Sequence, residues 1–496
     1  MSPKNKNIYL LALSVLIVFA GCTKKLDTNL HDPNGTPSSQ LTGKDYFAGA
    51  LVEVIFNKQG INLYNATDNY DYAQQWMGYF ARNNGWAASG NQQTMEDFQL
   101  TNNFGNGVWG SLYHNIYDLN FVIANSTKNS ILPGAARALR TMLFQDLVDQ
   151  YGNIPYSQAE NPLVTLTPAY DSATAIYKDL ALQIDTALSV ISASQSTADD
   201  ASDVMFKGDK TLWTQFANTI KLRILMRQVP NGDMAYVTSE IAQIQNNGGG
   251  FLSQDALVQP DFANLPTKTN PFWAAYGPGS QNYNSFCANV LMINFLDSIN
   301  DPRVNYYYKP LSNGTVGGEQ FGNNIYAQNG TTSTYGVGVL KNASQPGVLF
   351  LGSTSLFMQA EAVQRGLLNG NAATLYQQGV EASFNFLGFS NAVGAADAYM
   401  SGSSNGMVNF AASTNPLQTI LYQKWIAECC IDGLEAYNDY RRTGFPFIAV
   451  PSYGAPGAPM PQRLLYPETE YTQNPVNVNA QNQTADDINK PIFWAQ

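Results

Sequence analysis

The chain has 496 residues, a formal charge of −11, 13% charged side chains and 12% aromatic ones. That balance excludes nucleic acid as a partner, because such binding rests on Lys and Arg neutralising phosphates, and it argues equally against charge-driven docking on anionic lipid. With so little charge, and with Asn, Gln, Ser, Thr and Gly filling the remainder, the composition suits an extracellular surface that makes contacts through hydrogen bonds and ring faces.

The chain opens with Lys4 and Lys6, runs through an apolar stretch from Ile8 to Ala20 and closes on Phe19-Ala20-Gly21-Cys22. Residues 1–21 read as a signal peptide: a charged start, an apolar run too short to span a bilayer permanently, and small residues at the cleavage point. A cysteine directly after Gly21 makes this a bacterial lipobox, with the Cys22 thiol as the lipidation site, so that acyl chains hold the protein to a membrane without a spanning helix. Residues 22–40 then form a polar tether, as in Leu30-His31-Asp32-Pro33-Asn34, which buries too little apolar surface to fold by itself. The body beyond, residues 41–496, is long enough for one large or two ordinary domains, and none of its segments is apolar enough to cross a membrane.

Helical spacing recurs along the body. Leu139, Met142, Leu143, Leu147 and Val148 predict a one-faced helix over Ala135 to Tyr151, stopped by Gly152 and Asn153. Ile176, Leu180, Ile184, Leu188 and Ile191 predict another, with Asp171 as its N-cap. Trp213, Phe216, Ile220, Ile224 and Leu225 give a third with a wider apolar face. Leu356 to Leu368 and Leu375 to Leu387, parted by Asn369-Gly370-Asn371, predict an antiparallel helix pair. From Leu417 to Tyr440 a single long helix is expected, buried on more than one side.

Two irregular segments, Gln245 to Tyr283 and Leu311 to Gly347, are far longer than ordinary connections and are the expected ligand surface. Sugar recognition calls for aromatic platforms beside amide or charged edges. Two clusters answer to that description: Trp76, Tyr79, Asn83 and Trp86, and Trp273, Tyr276, Asn282 and Tyr283. Each of these rings taken singly reads as core; two clusters lying in loops point jointly to a binding site. Tyr306, Tyr307 and Tyr308 read as structural. Asp68-Asn69-Tyr70-Asp71 lacks the glycine and closing glutamate of a calcium loop and reads as a solvated turn, with a structural calcium ion left open.

The chain has two histidines, His31 and His114. With His31 in the tether, a histidine triad or multi-histidine zinc site has only His114 to draw on, so no catalytic residue, metal or cofactor is assigned. A carboxylate pair for glycoside hydrolysis is not excluded by spacing, though no motif marks one. Cys287, Cys429 and Cys430 are odd in number, and neighbouring cysteines bridge rarely because the ring is strained. They read as buried thiols, with a bridge from Cys287 to one of the pair as the alternative. Arg441 and Arg442 are expected to satisfy helix-end carbonyls or pair with nearby acids.

Four features together resemble the SusD/RagB family of outer-membrane nutrient-binding lipoproteins of Bacteroidetes-type bacteria. They are the lipobox with its Thr28 to Asn34 tether; the helix leading into Gly152-Asn153-Ile154-Pro155-Tyr156-Ser157; Leu296-Asp297-Ser298-Ile299-Asn300-Asp301-Pro302-Arg303; and the C-terminal helix with Arg441-Arg442-Thr443-Gly444 followed by Pro461 to Glu468, Asn474 and Asn477. Trp76-Met77-Gly78-Tyr79 resembles a branch of the family distinct from its starch-binding prototype. The resemblance implies a single, mainly α-helical domain over residues 41–496, in which tetratricopeptide-type helix pairs scaffold long irregular loops with little β-structure. It also implies a surface-exposed protein that binds oligosaccharides, or in some cases peptides, and delivers them to a TonB-dependent, SusC-like transporter barrel. A glycan-degrading lipoprotein enzyme remains the alternative from another class.

Overall fold

The structure is a computed structural model that describes residues 40–59, 70–83, 87–159, 165–280, 282–323, 330–448 and 451–495. The signal peptide, Cys22, most of the tether, Trp86, Asp68 and Asn69 lie outside the described residues. Eighteen α-helices and six short strands occur among those described. No helix there is long and apolar enough to cross a membrane.

In chain order the first half runs α1 (Gly43–Gln59), α2 (Asp71–Trp76), β1 (Phe80–Arg82), α3 (Gly90–Glu96), α4 (Asn106–Asn125), α5 (Leu132–Tyr151), β2 (Ile154–Pro155), β3 (Tyr170–Asp171), α6 (Ala173–Ala193), α7 (Lys210–Arg227) and α8 (Met234–Asn246). There follow β4 (Ala256–Val258), α9 (Pro271–Tyr276), β5 (Phe286–Ala288), α10 (Val290–Ser298), α11 (Val304–Tyr307) and β6 (Gly347–Phe350). The second helical block is α12 (Gly352–Gln364), α13 (Ala372–Leu387), α14 (Ala392–Ser401), α15 (Pro416–Ala427) and α16 (Gly433–Thr443), closed by the short α17 (Glu468–Gln473) and α18 (Pro475–Asn479). The mainly helical expectation holds, and the strands form three antiparallel two-stranded pairs.

Packing follows sequence order. α1 lies on α4, and α4, α5, α6, α7 and α8 each pack on the next, while α12 pairs with α13 and both meet α15. One hydrophobic core extends from Phe47 to Trp494, and a smaller one joins Phe357, Tyr376, Val380, Phe384 and Ile420 within the second block. The strand pairs act as staples between distant segments: β1 with β5 aligns Phe80 with Ala288, and β4 with β6 aligns Leu257 with Val348.

Three local expectations change. α5 is not one-faced: besides its apolar stripe it buries Arg140, Gln145, Asp146, Asp149 and Gln150, because those polar groups find partners inside the molecule. Asp171 does not cap α6. That role falls to Ser172, whose side chain accepts from the Ala175 N–H, while the Asp171 carboxylate takes the Tyr156 and Ser157 N–H groups. The single helix expected over Leu417 to Tyr440 is two helices. The break spans residues 428–432, where Cys430 has φ +67°; Asp432 then caps α16 by accepting from the Glu435 N–H. Gly433 fits against α2 so closely that a Cβ there would stand 2.6 Å from the Gln74 nitrogen, and a straight helix could not make that approach.

Charged side chains join the two helical blocks from within. Arg223 pairs with Asp146, and Arg227 pairs with Asp149 at 3.2 Å and with Glu435 at 2.6 Å. Lys424 reaches Glu435 at 2.8 Å and Asp439 at 2.7 Å, and Arg442 reaches Glu361 at 2.7 Å and Asp439 at 2.8 Å. All of these side chains are buried. The expectation that Arg442 pairs with acids is met, while Arg441 donates to the Gln462 carbonyl and to Asn438. Burial alone would raise the Glu361 carboxyl, yet the Arg442 guanidinium holds it down at about 2. For Glu428 burial prevails over nearby Lys424 and pushes its carboxyl well above the ordinary range.

Two substitutions test this assignment. Arg442→Met leaves Glu361 and Asp439 short of a buried partner and is expected to destabilise the fold by about 3–5 kcal/mol in urea unfolding. Glu428→Gln puts a neutral group where burial already disfavours the charged carboxylate and is expected to cost less than about 1 kcal/mol. Because the folded-state value of Glu361 is depressed, its contribution is complete above its ordinary value of 4.5 and is lost as pH falls through about 2. Acid titration of stability in the Glu361→Gln variant should show that component missing.

Candidate functional site

A cleft of about 400 Å³ opens where four distant segments meet: Asn289 to Phe295 at the start of α10, Gln320 and Phe321, Tyr422 and Trp425 on α15, and residues from Phe447 to Tyr453. Trp76 and Gly78 lie at its base, and Gly78 takes φ +74° with the Leu291 side chain against it.

α15 supplies the aromatic wall because Tyr422 and Trp425 are three residues apart and so share a helix face. The Phe295 ring stacks on Tyr422, with centroids 5.1 Å apart and planes 13° from parallel, and meets Trp425 edge-on at 5.1 Å. The Trp425 indole N–H donates to the Met77 carbonyl at 3.1 Å, and the Tyr422 hydroxyl accepts from the Phe447 N–H at 3.2 Å. The wall is therefore held in place from behind and at its rim.

Two rings stand at the rim with free faces: Phe447 is 72% exposed and Tyr453 is 48% exposed. Gln320 donates from its amide to the Tyr453 hydroxyl at 2.8 Å, and the Tyr453 N–H donates to the Phe321 carbonyl at 2.9 Å, so that ring is oriented. The polar side chains of the lining are Asn289, Asn294, Gln320 and the two tyrosines. No Asp, Glu, Lys, Arg or His lines the cleft among the described residues. Among the described residues the arrangement offers apolar faces and neutral hydrogen-bonding edges.

The β1–β5 pair brings the two aromatic clusters read from the sequence together: the Asn83 N–H donates to the Ser285 carbonyl and its side-chain amide donates to the Asn284 carbonyl, beside Asn282 and Tyr283. Trp76 is buried at the cleft base, its indole N–H donating to the Met95 carbonyl. Tyr79 and Tyr276 are buried too, their hydroxyls donating to the Trp425 carbonyl at 2.6 Å and to Asp71 at 2.5 Å. Neither presents a ring face to solvent. Trp273, Asn282 and Tyr283 are half-buried and do not line the cleft.

Of the two long segments expected to form the ligand surface, the second contributes Gln320 and Phe321; no residue of the first is in the described lining. Missing from the sequence reading are Asn289, Phe295, Tyr422, Trp425, Phe447 and Tyr453. Phe447 and Tyr453 carried a usable signal: aromatics in a Gly- and Pro-rich irregular stretch, the same criterion that selected the other two clusters. Tyr422 and Trp425 carried none, since aromatics within a buried helix read as core.

Cys287, Cys429 and Cys430 are all free and buried, so the pairing of Cys287 with either of the others is not made. Among the described residues one group has metal-ligand chemistry: Glu53, His114 and Asp118, on the outer faces of α1 and α4, with ligand atoms within 4.8 Å of one another. There His114 Nδ1 is already 3.2 Å from Glu53 Oε2, in an exposed pair that does not contribute to the described cleft lining.

Residues 47–467 match the model of the SusD-like family described as starch-binding and associating with the outer membrane. No curated protein matches the sequence. Among solved structures, a chitin-binding SusD homologue from Flavobacterium johnsoniae is similar with a TM-score of 0.74 and 21% identity, over 90% of this chain and 98% of that one. A SusD-like protein from Bacteroides thetaiotaomicron gives 0.74 and 21% over 90% and 98%. A SusD homologue from Bacteroides uniformis gives 0.72 and 22% over 91% and 99%. At these identities the likeness establishes the fold.

The buried position of Tyr79 yields a direct test. Tyr79→Phe removes the donor to the Trp425 carbonyl and is expected to lower stability by about 0.5–1.5 kcal/mol, measured by urea unfolding. No loss would detach Tyr79 from support of the wall.

Proposed function

The chain belongs to the SusD-like family, and from that footing we propose that it is a capture protein that holds a neutral oligosaccharide in its cleft, unaltered, for transfer to a TonB-dependent transporter barrel. In this proposal acyl chains on Cys22 fix it to the outer membrane, with the body displayed at the cell surface. The observation that carries the ligand class is the lining: exposed rings of Phe447 and Tyr453 at the rim, above the buried aromatic wall of Phe295, Tyr422 and Trp425, set beside Asn289, Asn294 and Gln320, with no charged side chain in the described lining.

Sugar rings present flat CH patches and hydroxyl edges, which such a lining matches group for group. A peptide brings termini and charged side chains, whose desolvation a neutral lining leaves uncompensated. Glycoside hydrolysis requires two carboxylates flanking the bond, and the described lining supplies none. A similar fold in a chitin-binding homologue supports the same ligand class. The volume, about 400 Å³, is within the range of small-ligand sites.

The test is titration of the full chain with a panel of neutral oligosaccharides and short peptides, followed by tryptophan fluorescence, since Trp425 lies in the wall. Phe447→Ala and Tyr453→Ala are each expected to weaken glycan binding by about 1 kcal/mol, roughly a fivefold rise in Kd, with unfolding unchanged. Unchanged affinity in both variants would sink the site. Binding confined to peptides would overturn the ligand class, and shortened glycans in the chromatogram would overturn capture without chemistry.

A further inference from the structure

The turn between α15 and α16 holds two adjacent thiols in an unusual arrangement. In a helix consecutive side chains diverge by about 100°, and in a strand they point to opposite faces. Here Cys430 adopts φ +67°, a conformation uncommon for a residue with a Cβ, and the two side chains fall on one side of the chain. The Cys429 and Cys430 sulfurs are 3.4 Å apart as a result. Cys429 is fully buried, with the Tyr308 hydroxyl 3.5 Å from its sulfur. Cys430 instead lines a second cavity, of about 220 Å³, whose walls include Asp255, Lys341, Gln345 and Phe386. One thiol of the pair thus borders a cavity, although its residue is only 5% exposed, and the other lies behind it.

We propose that Cys429 and Cys430 form a thiol-modification site that a small-molecule disulfide, entering by this cavity, closes to a vicinal disulfide. The Cys430 sulfur, having lost its proton to water, attacks one sulfur of the oxidant. The oxidant's S–S bond breaks, one of its halves leaves as a thiol, and a mixed disulfide remains on Cys430. Cys429 then gives up its proton and attacks the Cys430 sulfur, the mixed bond breaks, and the second half leaves as a thiol. Two thiol protons and two electrons pass to the oxidant, which is reduced to two thiols. Burial and the neighbouring Cys429 push the Cys430 thiol well up, so the attacking thiolate is scarce at neutral pH and the reaction takes place slowly. Neighbouring cysteines ordinarily resist bridging because the ring strains the peptide between them; here the left-handed residue has already turned the sulfurs together.

The experiment exposes the full-length chain in detergent to glutathione disulfide, traps free thiols with N-ethylmaleimide after denaturation, and digests with trypsin. Cleavage after Lys424 and Arg441 isolates one peptide, Trp425 to Arg441, whose cysteines are Cys429 and Cys430 alone. The expected product is that peptide unlabelled and lighter by two hydrogen atoms, becoming doubly labelled only when dithiothreitol precedes the trap. A doubly labelled peptide without reductant, or a glutathione adduct that persists in the wild-type chain, would overturn the proposal. In Cys429→Ser the resolving thiol is gone, and the expected end point is one glutathione retained on Cys430. An unmodified Cys430 in that variant would overturn the cavity route, while the wild-type outcome is read independently of whether the variant folds.

Discussion

A group of charges buried in the interior is the constraint on which the rest of the structure depends. Arg227 bridges Asp149 of α5 and Glu435 of α16, Lys424 of α15 bridges Glu435 and Asp439, and Arg442 bridges Asp439 and Glu361 of α12. Five helices from both halves of the chain contribute, and each member reaches partners on at least one other helix. Such groups are costly to take out of water and are tolerable only when their partners are in place together. The network therefore penalises any arrangement in which the two helical blocks dock out of register, a specificity that the apolar core, being non-directional, does not supply.

The cleft inherits its geometry from that network through a single helix. Lys424 on α15 and Glu428 just past its end face the buried charges, while Tyr422 and Trp425 line the cleft and pack against the Phe295 ring. Fixing Lys424 against Glu435 and Asp439 fixes the rotation of α15 about its axis, and with it the position of the two rings in the cleft wall. The break after Ala427 is part of the same solution. It lets α16 turn back so that Glu435, Asp439 and Arg442 reach the network, and it leaves Cys429 and Cys430 at the corner with their sulfurs in contact.

Charge is thus segregated in an unusual direction. The interior carries paired Arg, Lys, Asp and Glu, whereas the described lining of the cleft carries none. For the capture of an uncharged, heavily hydroxylated ligand proposed above, this is the useful arrangement: ring faces gain from covering CH surface, and neutral amides exchange hydrogen bonds with hydroxyls at small net cost.

Much of this was legible in the residues alone. The signal peptide and lipobox at Cys22 are patterns in consecutive residues, and they stand as sequence readings, since they lie outside the described part of the structure. Helix positions such as Ala135 to Tyr151 and the pair on either side of Asn369-Gly370-Asn371 follow from local periodicity, and the family follows from motif order. What local pattern does not contain is which segments converge. Trp76 and Tyr79 satisfied a sugar-site criterion in sequence, yet the first lies buried at the cleft base and the second in the core behind the wall, because β1 pairs with β5 and draws them inward. Phe447 and Tyr453 line the same cleft as residues of α10 and α15, from which they are separated by chain but not by space. The break at residues 428–432 was hidden for the same reason: nothing local forbids a continuous helix there, and only the demand that Glu435 and Arg442 meet partners on α7 and α12 bends it. The sequence by itself determined most of the elements, the class and the family; which residues converge on the candidate cleft was decided by the tertiary structure alone, because that is a property of distances between residues far apart in the chain.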